Sequence, residues 1–271
     1  MDVILNWGFY LPEGFCPIVI DLNANPEYYK KLKELLFVKK VKNHKLIRVG
    51  ARKDGGYIML DDFETPSIAY SFGICDDVSW DNSMASKYDY QIFMYDHTID
   101  ALPYTREEFH FFKEGIAGKN SKDSPLKTLE HYIKKNNHTS KENMILKMDV
   151  EGAEWEFIET VDPKILEQFD QIIFEFHSLT RAGADKRILS LLEKLNETHS
   201  VIHVHGNNTS CLLQIGDTLF PDAMEVTYAN KQKYEFEDYD ELFLPIVLDV
   251  QCDFCRPEVG LGEWNKPLII K

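Results

Sequence analysis

The stretch Met144-Ile145-Leu146-Lys147-Met148-Asp149-Val150-Glu151-Gly152-Ala153-Glu154-Trp155 decides the fold. It begins as an apolar run of the kind carried by a strand buried on both faces. It ends in Asp149-Val150-Glu151-Gly152-Ala153-Glu154, three carboxylates within six residues. Gly152 lets the chain turn, and Trp155, Phe157 and Ile158 then open a helical apolar pattern. In open parallel sheets, ligands bind where strands end and helices begin. Asp149 is therefore expected at the carboxyl end of a central strand, facing a ligand crevice.

Similar strand–helix units flank this one. Ser67–Phe72 is a short apolar strand running into Gly73, and Ser79–Ala85 reads as a helix start. Gln91–Tyr95 is a second strand ending in Asp96, and Phe109–Phe112 a third. Pro125–Tyr132 starts an amphipathic helix with Leu126, Leu129 and Ile133 on one side. After the Met144 strand, Asp162-Pro163 opens a short helix over Lys164–Phe169, with Pro just inside its start. Gln171–His177 is the fifth strand. Ile188, Leu191, Leu192 and Leu195 mark a helix. Val201–Asn208 is the sixth strand and Leu219–Tyr228 the seventh. This rhythm predicts an α/β fold: a seven-stranded, mostly parallel sheet with helices on both faces.

Asp96 follows Gly73 at the spacing nucleotide-binding units use, with Gly for close approach and an acid for the ribose hydroxyls. No Gly-x-Gly-x-x-Gly accompanies them; after Gly73 the next glycine is Gly115. That pattern brings a pyrophosphate against a helix N-terminus. A cofactor with a ribose but no diphosphate, such as S-adenosylmethionine (SAM), does without it. A nicotinamide-dependent oxidoreductase is the competing enzyme reading, and the missing fingerprint counts against it.

The 271 residues suffice for one large α/β domain, and 44% hydrophobic and 13% aromatic content support a real core. A net charge of −15 argues against general nucleic-acid binding and against an anionic membrane surface. No run approaches a membrane span, and Met1–Asn6 lacks the pattern of a signal peptide. Five scattered cysteines suit a reducing cytoplasm. Cys252-Asp253-Phe254-Cys255 is a lone pair, read as two free thiols because no second pair completes a zinc set.

Residues 1–45 are expected to form an N-terminal extension, ahead of a main domain over 46–271. Asn25-Pro26 starts a helix with an apolar stripe at Tyr28, Tyr29, Leu32, Leu35 and Leu36. Ten of the 30 basic residues lie between Lys30 and Lys53, a local patch that would attract an anionic substrate such as a diphosphate. The charged helix would also serve in subunit contact, giving a homo-oligomer. Asp54-Gly55-Gly56 is a turn between strand-like runs Leu46–Val49 and Tyr57–Leu60. The segment from Leu248 onward is expected to wrap the domain.

Glu175 and His177 lie two apart and so share a strand face, as do His203 and His205. Carboxylate plus imidazole at neighbouring strand ends suits a divalent ion such as Mg²⁺ or Mn²⁺.

Leu146–Glu154 closely resembles the signature of the FkbM-type SAM-dependent methyltransferases. Arg48-Val49-Gly50, Asp54-Gly55-Gly56-Tyr57, Ser71-Phe72-Gly73-Ile74 and Phe174-Glu175-Phe176-His177 are similar to a related methyltransferase-like branch with bacterial sugar-modifying members. The resemblance spans roughly residues 46–230. It implies a class I (Rossmann-like) methyltransferase fold with its last strand antiparallel, SAM as donor, and a hydroxyl of a sugar or nucleotide-linked sugar as acceptor, as in surface polysaccharide synthesis. By position it implies Ser71, Phe72 and Gly73 in the first SAM loop, Asp96 on the ribose, Ile116 and Ala117 near the adenine, and Asp149 at the methyl-transfer end. Cys75-Asp76-Asp77 departs from the glycines usual in that loop. An alcohol needs its proton removed, so His177 is assigned as base, with Asp149, Glu175 and His205 as candidate metal ligands, roles that could be exchanged among the four. The alternatives are N-methylation of an amide or amine, and a SAM-fold interaction module without catalysis.

Overall fold

The computed structural model describes residues 18–19, 24–65, 67–180 and 185–269. Met1–Asn6, read above for a signal peptide, lies outside them. The main sheet consists of β1 (Ser67–Phe72), β2 (Tyr90–Tyr95), β3 (Phe109–Phe112), β4 (Met144–Met148), β5 (Phe169–Phe176), β6 (His199–Gly206) and β7 (Met224–Asn230). The strands pair in the order β6-β7-β5-β4-β1-β2-β3. All neighbours are parallel except β7, which runs antiparallel to both β5 and β6. This is the mostly parallel seven-stranded sheet with a reversed last strand that the sequence implies. The chain builds outward from β1 through β3, then returns to β4 on the other side of β1. The reversal sets the carboxyl ends of β1 and β4 side by side, the position where open α/β sheets bind ligands.

Helices cover both faces: α1 (Pro26–Leu35), α2 (Ser79–Tyr88), α3 (Leu129–Lys135), α4 (Glu154–Thr160), α5 (Pro163–Leu166) and α6 (Asp185–Thr198). Alternation along each strand divides the core. Tyr70, Phe72, Leu146, Met148, Ile172, Phe174 and Phe176 share one core with Leu32, Tyr132, Phe157 and Leu192 of the helices. Ala69, Ile92, Met94, Ile145 and Ile173 form the other, with Trp80 and Met84 of α2 and with Tyr57 and Met59. Tyr57 and Met59 belong to the expected hairpin, Leu46–Gly50 paired with Gly56–Leu60. It is tied to the sheet where Leu60 N donates to Gln171 Oε1 (2.8 Å) and Thr227 Oγ1 donates to Ile58 O (2.6 Å).

Three readings change. The run over 219–228 is not one strand. Thr218–Pro221 folds back on Leu212–Ile215, and β7 begins only at Met224. Pro221 has no N–H to continue a ladder, and the Asp222 carboxylate is held by Thr180 N at 2.9 Å. The helix after Pro125 starts at Leu129, where Thr128 Oγ1 accepts from His131 N (3.2 Å), because Leu126–Lys127 pairs with Gly115–Ile116 instead. Part of the basic patch is taken up within the fold. Lys33 is buried, donating to Thr218 Oγ1 (3.3 Å) with its ammonium over the Trp264 ring. Lys31, Lys39 and Lys42 pair with Glu193, Asp238 and Glu235 at 3.2, 2.5 and 3.3 Å.

The segment after Leu248 does lie along the domain. Trp264 is fully buried and donates from Nε1 to Leu36 O (2.9 Å). No helix among the described residues is long and apolar enough to cross a membrane.

Candidate active site

The crevice is built where β1 and β4 come nearly into contact. Gly73 has φ +76°, and a Cβ there would lie 1.5 Å from Asp149 O, so only glycine lets the two strand ends close up. Asp149 N donates to Phe72 O (3.0 Å), and the buried Lys147 ammonium holds Gly73 O at 2.5 Å.

The three acids of Asp149–Glu154 do three different things. Glu154 is fully buried: Oε2 accepts from Gly152 N (2.8 Å) and Oε1 from His177 N (2.7 Å), which ties the β4 loop to the end of β5. Glu151 (φ 54°) and Gly152 (φ 103°) make the left-handed turn that leaves the Glu151 carboxylate in solvent. Asp149 stands at the end of β4, where Oδ2 accepts from Tyr57 OH at 3.3 Å.

His177 sits among these acids. Nε2 lies 3.5 Å from Glu151, 3.7 Å from Glu175 and 4.0 Å from Asp149, while Nδ1 lies 3.4 Å from Glu154. The Nδ1 contact lacks hydrogen-bond geometry, so this buried nitrogen has no hydrogen-bond partner. Burial alone would depress the imidazole's pKa. The Glu154 carboxylate and the charges of Glu175 and Asp149 outweigh it and push the pKa up to about 9. Glu175 is raised well above the carboxylate range by burial first, then by the charges of Asp149 and Glu225. It accepts a hydrogen bond from Asn207 Nδ2 (2.7 Å).

Asp96 stands at the end of β2. Oδ2 accepts from Ile74 N and Cys75 N (both 2.9 Å), and Oδ1 from Thr98 N (2.8 Å) and Thr98 Oγ1 (2.6 Å). Burial would raise its pKa, but these four bonds hold it below the usual value. Asp96 thus fixes the loop where Cys75-Asp76-Asp77 replaces the usual glycines, and Cys75 takes the left-handed φ of 49° there.

FkbM-type methyltransferase domains match this chain over residues 7–199. The protein belongs to the FkbM methyltransferase family. No curated protein matches it. Membership makes it a SAM-dependent methyltransferase, and the donor set at the crevice fits that cofactor. Asp149, Glu151 and Glu175 around His177 Nε2 suit a ligand that carries positive charge, as a sulfonium with an ammonium does.

For this FkbM enzyme, the structure brings Asp149, Glu175 and His177 together. It places Gly73 and Asp96 along the same strand ends, with Ile116 buried and Ala117 half-buried beyond them. Ser71 and Phe72 are fully buried strand residues pointing to opposite cores, so of the expected first loop only Gly73 lies beyond the strand end. The candidate ligands Asp149, Glu175 and His205 fall into three different groups, two of which share Glu225. Asp149 groups with Glu151 and His177, Glu175 with Asp54 and Glu225, and His205 with Glu225 and Cys252. Tyr57, Lys147 and Glu154 escaped the sequence reading as site residues. Tyr57 follows the Asp54-Gly55-Gly56 turn and Glu154 closes the acidic run, so both lay inside stretches already singled out. A cleft of about 310 Å³, lined by Gly50, Asp77, Ser79, Asn82 and Tyr104, lies beside the loop after β1, and none of Gly73, Asp96, Asp149 or His177 lines it.

Proposed function

We propose that this enzyme transfers the methyl group of SAM to a hydroxyl oxygen of a sugar or nucleotide-linked sugar, at the carboxyl ends of β1, β4 and β5. The observation that carries the reading is His177, held among four carboxylates at the mouth of the crevice. Gly73, Asp96, Ile116 and Ala117 would hold SAM, which supplies an electrophilic methyl on a sulfonium. An alcohol is a poor nucleophile until it loses its proton, whereas a neutral amine is not. A positioned imidazole therefore favours oxygen over nitrogen as acceptor.

With the crevice to itself, His177 holds a proton because the carboxylates favour imidazolium. A cationic ligand among the same carboxylates takes over that compensation and lowers the imidazole's proton affinity. His177 then accepts the acceptor's proton at Nε2, and Asp149 and Glu175 stabilise the imidazolium that forms. Glu154 and the Trp155 Nε1 bond to His177 O (2.8 Å) fix the backbone that carries the ring. Positioning of this kind supplies much of the rate of an in-line displacement.

The reading is tested by incubating the full chain with SAM carrying a deuterated methyl group and a panel of sugars, amino sugars and nucleotide sugars. NMR of the products locates the label. A deuterated O-methyl on a sugar is expected. A label found on nitrogen alone would overturn the acceptor class.

A further inference from the structure

We propose that His205, Glu225 and Cys252 form a second, separate site: a centre for a zinc-class divalent ion that staples the C-terminal segment to the sheet. His205 of β6 pairs in register with Glu225 of β7, which pairs with Glu175 of β5. Paired residues project to the same face, so this row of side chains crosses three strands at one end of the sheet. Cys252 reaches it from the C-terminal segment. All three proposed ligands are buried, at 1%, 4% and 8% exposure, and their donor atoms lie within 4.8 Å of one another. His205 Nδ1 is 3.0 Å from Glu225 Oε2, and Cys252 Sγ is 3.5 Å from Glu225 Oε1. A tetrahedral ion with bonds of about 2.0–2.3 Å holds its donors about 3.3–3.8 Å apart, so the cluster closes on an ion with small side-chain movements.

The chemistry of the set selects the metal. Imidazole, thiolate and carboxylate together suit zinc or cobalt(II), whereas magnesium prefers oxygen donors alone. Three protein ligands leave one tetrahedral position open. The outer nitrogen of His205, Nε2, lies 3.2 Å from Glu258 Oε1, the carboxylate–imidazole–metal arrangement that orients a ligating histidine. Charge points the same way: Asp54, Glu175 and Glu225 present oxygens within 4.8 Å of one another, and a divalent ion would offset their repulsion.

The site is also built in advance on both sides of the cysteine. His203 Nε2 binds Asp249 Oδ1 (2.8 Å) three residues before it. One residue after it, Asn208 accepts from Asp253 N at Oδ1 (2.9 Å) and donates from Nδ2 to Asp253 O (2.8 Å). Cys255 is exposed and takes no part.

The test uses the full chain, stripped of metal with EDTA and then freed of chelator. Cobalt(II) titration should give one ion per chain with a near-ultraviolet thiolate-to-cobalt band, which zinc(II) abolishes by displacement. Cys252→Ser should lose the band and Cys255→Ser should keep it. In the wild type, independent of any folding defect in a variant, zinc(II) should slow alkylation of Cys252 and leave Cys255 reactive. Absence of a thiolate band, its survival in Cys252→Ser, or equal alkylation of Cys252 with and without zinc(II) would each overturn the proposal.

Discussion

At Gly73 one methyl group decides whether the ends of β1 and β4 can meet. A Cβ would fall on the Asp149 carbonyl, which is backbone and has nowhere to move. Gly73→Ala is expected to abolish SAM binding by calorimetry and to lower stability as well; wild-type affinity in this variant would refute the close-approach account. Glu154 shows how a carboxylate that reads as catalytic can be architectural. Glu154→Ala leaves the Gly152 and His177 N–H groups without partners, and each unsatisfied buried donor costs about 1–3 kcal/mol. Urea unfolding should show a loss of about 2–5 kcal/mol, with Glu154→Gln losing less because one oxygen still accepts. The sequence showed that three acids converge on one turn, and the two-residue spacing of Glu175 and His177 correctly put them together. It could not assign the acids their separate tasks, because burial of Glu154 and exposure of Glu151 depend on where the β5 end comes to lie. Tyr57 was hidden for the same reason: its contact with Asp149 joins residues 92 positions apart.

The elements that read most clearly were those buried on both faces. Met144–Met148 and Phe169–Phe176 are buried at every position, and apolar residues dominate both despite Lys147 in the first and Asp170, Gln171 and Glu175 in the second. The hairpin around Asp54-Gly55-Gly56 was legible from its turn chemistry. The misread β7 joined two strands because both are apolar, and only Pro221 marked the break. The basic stretch from Lys30 to Lys53 was read as a free surface because the partners of Lys31, Lys39 and Lys42 lie far along the chain, at Glu193, Asp238 and Glu235. Helix α1 and the C-terminal segment meet at Trp264, which packs on Phe220 and beneath Lys33. Trp264→Ala should cost about 3–5 kcal/mol in equilibrium unfolding. A loss under 1 kcal/mol would mean that the C-terminal segment contributes little to the fold.

Across the whole molecule, buried histidines set opposing pH responses. His199 is neutral and fully satisfied, accepting from Thr198 Oγ1 at Nδ1 (2.9 Å) and donating from Nε2 to Phe169 O (3.0 Å). Burial pulls its pKa down to about 4. The unfolded chain, with an ordinary value of about 6.5, binds the proton first. Its contribution to stability is therefore complete above pH 6.5 and is lost as pH falls toward 4. The shift corresponds to about 3 kcal/mol, and His199→Gln should flatten the stability profile by that amount over this window in denaturant titrations. His177, raised to about 9, acts in the other direction, with stability complete below pH 6.5 and lost as pH rises through that value. The central claim, that an imidazole among four carboxylates draws the proton from the acceptor, is tested most directly by His177→Ala. SAM affinity by calorimetry should stay within a few-fold of wild type, while methyl transfer falls by about 10²–10⁴-fold. Methyl transfer at the wild-type rate in a variant that still binds SAM would contradict the account.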